Sequence, residues 1–120
     1  MSVLQKDKID FVGKGKNDNS LSLAISDHLD WTSEKEHLHV LQEKINSYVS
    51  FIESGQIKHY SDGRSPDSIM IKIYFLHEPT KLVHNFLEHT KIILASVPAT
   101  LDFVNVDKET LDSLQEGVHY

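Results

Sequence analysis

SEKEHLHVLQEKINSYVSFIESG, residues 33–55, is the stretch whose reading decides the fold. Leu38, Leu41, Ile45, Tyr48, Val49 and Ile52 recur at intervals of three and four, while Glu36, Glu43, Asn46 and Ser50 lie mostly on the other side. That is the pattern of an amphipathic helix with one face against a core. Ser33 followed by Glu36 has the spacing of a capping box, in which a hydroxyl and a carboxylate each satisfy an orphan amide. Gly55 offers a left-handed stop. The spacing therefore predicts a helix over residues 33–54, long enough to span one face of a sheet.

Strand signals flank it on both sides. Upstream, Ser20 to Asp27 places Leu21, Leu23 and Ile25 on one face and Ser22, Ala24 and Ser26 on the other, the period-two alternation of a half-buried strand. Residues 8–13, KIDFVG, form a second alternating arm, and residues 13–19, rich in Gly and Asn, read as the hairpin loop between them. Downstream, Ile69 to Leu76 is the most strand-like run in the chain. Ile69, Ile71, Ile73 and Phe75 share its buried face, and Met70, Lys72, Tyr74 and Leu76 share a wetter one. Gln56 to Tyr60 is a candidate short partner for it. Residues 80–96 form a second helix with Val83, Phe86, Leu87, Ile93, Leu94 and Val97 on its apolar stripe, ended by Pro98. Thr100 to Val106 reads as a last strand, and Asp107 as the cap of a short terminal helix.

The expected class is α+β, an antiparallel sheet of four or five strands with two helices on one face. One topology is ferredoxin-like βαββαβ plus an N-terminal strand. If residues 56–60 are coil, the alternative is a four-stranded mixed sheet with the same two helices. Either arrangement leaves the second sheet face for solvent or a partner, and Trp31, Met70, Lys72 and Tyr74 are the candidate interaction residues. The 120 residues suit a single domain over 1–120, with a core over 8–106 and a C-terminal extension over 107–120.

Composition narrows the function classes. The net charge is −6, and neither half of the chain is basic, with 7 basic against 9 acidic groups in residues 1–60 and 5 against 9 in residues 61–120. Phosphate-rich partners require the opposite sign, so nucleic acid and anionic membranes are not expected partners. The chain has no cysteine, which removes disulfides, thiolate metal sites and thiol chemistry. No apolar run is long enough for a signal-peptide core or a membrane span, so a cytoplasmic location is expected.

Chemistry-bearing residues gather most densely in Asp27-His28-Leu29-Asp30-Trp31, between the second strand and the first helix. Asp27, His28 and Asp30 are the ligand or metal candidates, because two carboxylates and an imidazole on a strand-to-helix loop can hold a cation or position a base. The structural reading of the same residues has Asp27 and Asp30 accepting turn amides, His28 bonded to a carboxylate, and Trp31 folded over Leu38 or its neighbours as a lid on the core. His37 lies at the apolar flank of the helix, as a satisfied packing histidine. His39 points about 200° away from it, so the pair does not chelate. His84 and His89, in HNFLEH, diverge by about 140° and miss the spacing of a zinc-protease helix. Lys14 and Lys16 beside Gly13 and Gly15 lack the following helix of a phosphate-binding loop. No nucleophile elbow is present, no catalytic residue is nominated, and no cofactor is expected.

DHLDW at 27–31 and EHLHVLQEKINSYVSFIESGQI at 36–57 resemble a small, mainly bacterial family of domains of unknown function. The resemblance implies an opening strand pair, the long helix, a strand region, a second helix and a final strand over residues 8–106. It implies no activity and assigns no role to His28, Asp30, Asn46 or Glu53. The leading functional expectation is therefore a protein-interaction or homo-oligomerising module without catalytic activity, acting as a homodimer or with a protein partner. The alternatives are a small metal-assisted enzyme or ligand sensor using Asp27, His28 and Asp30, helped by Glu53 or His59, and an immunity or antitoxin-like binder of a basic protein.

Overall fold

The structure is a computed structural model and describes residues 11–14, 20–57, 68–95 and 99–116. Strand β1 (Phe11–Lys14) and strand β2 (Ser20–Asp27) pair antiparallel, with Val12 opposite Leu23. Helix α1 (Glu34–Glu53) then leads to strand β3 (Ser68–Phe75), and helix α2 (Lys81–Leu94) leads to strand β4 (Thr100–Asn105). Helix α3 (Lys108–Glu116) closes the chain. The sheet order is β1-β2-β3-β4. Because β2–β3 and β3–β4 are each joined through a helix, both pairs are parallel, with Ile25 opposite Ile73 and Ile73 opposite Phe103.

The α+β class holds, with two main helices on one face of a four-stranded sheet, and the sheet is mixed. The antiparallel, ferredoxin-like arrangement is not adopted, because it needs a second hairpin between residues 56–60 and β3. Gln56 and Ile57 instead turn in a short 3₁₀ segment after Gly55, and Ile57 plugs into the core. Lys58 to Tyr60, Lys8 to Asp10, residues 15–19 and Val97 lie outside the described residues.

Packing follows from strand parity. Leu21, Leu23 and Ile25, Ile69, Ile71, Ile73 and Phe75, and Leu101 with half-buried Phe103 all turn to the helical side, where α1 and α2 complete one core. Burying each large side chain there stabilises the fold by roughly 1.5–3 kcal/mol. Helix α1 lays down His37, Leu41, Lys44, Ile45, Tyr48 and Ile52, and the Tyr48 hydroxyl donates to the Ala24 carbonyl of β2. The Lys44 ammonium sits 5.4 Å from the centre of the Tyr48 ring. The helix ends where Gly55 takes φ 84°. Its start differs from the expected capping box, since Ser33 makes no side-chain cap. Glu34 instead accepts from the Thr80 hydroxyl, and Thr80 itself caps α2 by accepting from Val83 N. The N-termini of the two helices are thereby tied together.

The far side of the sheet is not open throughout. Asp107 caps α3 by accepting from Thr110 N at 2.7 Å, and α3 folds back to reach β2. Leu111 is buried but stands apart from the core under α1 and α2, and Ala24 and Ser26 on the far face of β2 are buried as well. Met70, Lys72 and Tyr74 remain exposed or half-buried on β3.

Candidate functional site

Asp27 is the last residue of β2, and its parity with Leu23 and Ile25 turns its side chain to the helical face, where it is fully buried. A buried carboxyl group needs partners. One oxygen, Oδ1, accepts from Leu29 N at 3.1 Å. The other, Oδ2, lies 2.6 Å from His37 Nε2, one turn into α1. The second ring nitrogen of His37, Nδ1, lies 2.8 Å from the Asp30 carbonyl. A carbonyl only accepts, so Nδ1 carries hydrogen and the remaining proton is held between Nε2 and Asp27. Both ring nitrogens are thus engaged by the protein itself.

Trp31 covers this pair. Its ring stacks on His37 with centroids 3.6 Å apart and planes 13° from parallel, and it meets Phe75 obliquely at 5.9 Å. Its indole N–H donates to the His77 carbonyl at 3.1 Å. The loop after β2 is in this way fastened to the loop after β3. Asp30 Oδ1 accepts from Thr32 N at 3.0 Å, and this bond, aided by the nearby His77 and His37, holds the Asp30 carboxyl below its ordinary 3.8.

Above the fastened pair opens a cavity of about 380 Å³. His37 and the aliphatic Leu29 and Val40 line it, with Ser33, His28 and His77 and the acidic Asp30 and Glu36 around them. Among the described residues, no lysine or arginine contributes to the lining. Among the described residues, no group of three or more His, Asp or Glu side chains is set to hold a metal ion.

The nominated residues distribute as follows. Asp27 and Asp30 both accept turn amides, as expected, and both also meet His37. His28 is exposed on the cavity wall, and among the described residues it makes no hydrogen bond to a carboxylate. Trp31 stacks on His37, the neighbour of Leu38. Glu53 stands at the opposite end of the 20-residue α1, about 30 Å from the cavity at the rise of an α-helix, and His59 lies outside the described residues. Met70, Lys72 and Tyr74 share the far face of β3, where Lys72 is opposite Asp102 and its ammonium lies 5.5 Å from the Tyr74 ring. Burial, seconded by the Asp102 charge, raises the Tyr74 hydroxyl above its usual 10.0.

A second feature escaped the sequence reading. Helix α2 buries Val83, Leu87, Thr90 and Leu94, while Leu82 is 47%, Ile92 73% and Ile93 57% exposed. Of the five exposed large hydrophobic residues among those described, these three share one helix; the others are Met70 and Val104. At 100° per residue, Leu82, Phe86, His89 and Ile93 fall within about 60° of one another. His84 and Lys91 lie on the opposite flank, where both pack on Phe103 of β4. The apolar flank therefore faces away from β4. The signal is present in the 4-3-4 spacing: Phe86 is half-buried against the core, as its place on the apolar stripe predicts, whereas Ile93 turns outward.

The molecule is thus a small mixed-sheet α+β domain with a loop cluster locked by a buried Asp–His pair and one apolar helix flank turned outward. The chain belongs to a family of unknown function, DUF6572, whose model matches residues 1–108 and stops at the first residue of α3. No curated protein and no solved structure matches it. No helix of the described residues is long and apolar enough to cross a membrane.

Proposed function

We propose that this chain is a homo-oligomerising interaction module without catalytic activity, and that the flank of α2 carrying Leu82, Phe86, His89 and Ile93 meets the same flank of a second copy. The observation that carries this reading is the concentration of exposed apolar side chains on that one helix. The 4-3-4 spacing is self-complementary: about a twofold axis with the helices antiparallel, Leu82 faces Ile93 of the other copy and Phe86 faces its His89. Charge supports a second copy as the occupant. The chain as a whole carries −6, yet α2 has two lysines and one glutamate, whereas α1 has four glutamates against two lysines and α3 three acids against one lysine. Like-charge repulsion between copies is weakest where α2 meets α2.

The competing sheet edge is less suitable. The outer N–H of Phe103 on β4 is taken by the Asp102 carboxylate at 2.9 Å, which opposes strand addition there. Engagement of both His37 nitrogens supports the non-catalytic half of the reading, because neither lone pair is left for a substrate. The lack of cysteine agrees with residence in a bacterial cytoplasm. Because the chain has no native cysteine, Leu82→Cys/Ile93→Cys, two exposed positions that face each other across the axis, tests the geometry directly: mild oxidation should yield a covalent dimer, while Glu53→Cys should not. Equal cross-linking of both variants, or of neither, would count against the proposed contact.

A further inference from the structure

We infer that the cavity between the loops after β2 and β3 binds the ammonium or guanidinium end of a small aliphatic cation. Three properties lead there, all independent of the α2 contact. First, the walls are fixed before any ligand arrives. His37 is held at both nitrogens, Trp31 is stacked on it, and the Trp31 indole joins the two loops through the His77 carbonyl. A pocket with a pre-set shape loses little entropy on binding. Second, its permanently charged groups are acidic. Asp30 and Glu36 line it beside three imidazoles, no lysine or arginine among the described residues does, and the adjoining first turn of α1 already carries Glu34 and Glu36, so a cation is favoured over an anion. Third, Leu29 and Val40 give an apolar wall next to those carboxylates. A charged head on a hydrocarbon stem matches both parts, whereas a hydrated inorganic cation matches only one, and the described residues form no metal cluster. At about 380 Å³ the space suits a molecule the size of a short alkyl diamine or a single basic side chain.

The chain holds one tryptophan, and its ring stacks on His37, which lines the cavity. Its emission therefore reports occupancy. Agmatine and cadaverine, titrated at constant ionic strength, should produce a saturable change, and glutarate should produce none. In Asp30→Asn/Glu36→Gln the affinity should fall at least tenfold. The Asn amide oxygen can still accept from Thr32 N, so unchanged far-UV circular dichroism and thermal midpoint should accompany the loss. Glu53→Gln, at the other end of α1, should bind like the parent. Blocked peptides with a single Lys or Arg separate the two sources of such a cation: tighter binding than the free amines identifies a side chain of a partner protein, and equal or weaker binding identifies a free amine. No saturation by either amine, an equal response to glutarate, or unchanged affinity in the double variant would overturn the inference.

Discussion

His37→Leu removes one member of the buried Asp27–His37 pair and leaves the Asp27 carboxyl, with no exposed surface, facing a methyl group in place of a nitrogen 2.6 Å away. Breaking such a pair from one side costs roughly 3–5 kcal/mol, because the abandoned group stays desolvated. That is a large share of the roughly 5–15 kcal/mol that holds a domain of this size together. Lost stacking with Trp31 adds about 0.5–1.5 kcal/mol. The thermal midpoint should fall by roughly 10–20 °C. Asp27→Leu/His37→Leu removes the stranded group as well, sacrificing only the bond from Leu29 N, so the double variant should be more stable than His37→Leu by about 2 kcal/mol. Urea denaturation followed by far-UV circular dichroism measures all four corners of the cycle without relying on Trp31, whose environment the substitution alters. Additive effects, or a His37→Leu cost below about 1 kcal/mol, would refute the argument that this pair locks the loops.

Two further predictions concern the ends of helices. Gly55 stands at φ 84° with open space where a Cβ would go, so Gly55→Ala pays only backbone strain, and a net loss of about 1 kcal/mol should appear in a thermal melt. An unchanged or higher midpoint would show that the left-handed stop is dispensable. Asp107 has its carboxyl held below 3.8 by the bond from Thr110 N. A depressed folded value means that its contribution is complete above the ordinary carboxylate range and disappears as pH falls through the lower folded value. Between about pH 5 and about pH 3, Asp107→Asn should therefore lose less stability than the parent, and equal slopes in urea titrations would contradict this.

Much of the fold was legible because local periodicity encodes it. The stripe from Leu41 to Ile52, the stop at Gly55, the alternation of Ile69 to Phe75 and the cap at Asp107 are all properties of neighbouring residues. Strand direction is not local. Whether β3 pairs antiparallel with residues 56–60 or parallel with β2 depends on which distant edge is available, and Ile57 serves the core better as a plug after the helix than as a strand. The candidate site divides in the same way. Asp27, His28 and Asp30 stood out as a cluster of functional types, and His37 was legible as a buried, satisfied histidine. Its partner was not, although a strand-end carboxyl with inward parity and a histidine in the first turn of the next helix are the two groups that such a connection brings together. His77 enters from the loop after β3, 46 residues beyond Trp31, and nothing in the sequence announces that meeting. On α2, Ile93 lies about 90° from the buried stripe, a distinction that a broad apolar face conceals until the sheet fixes which side is covered.

Self-association through α2 is tested most directly by light scattering on a size-exclusion column across a micromolar concentration series, comparing the parent chain with Ile92→Lys/Ile93→Lys. The account predicts a species of twice 13.7 kDa for the parent and 13.7 kDa for the variant, with both equally folded because the substituted side chains are exposed. A parent that stays at the single-chain mass throughout the series, or a variant that remains as dimeric as the parent, would contradict it.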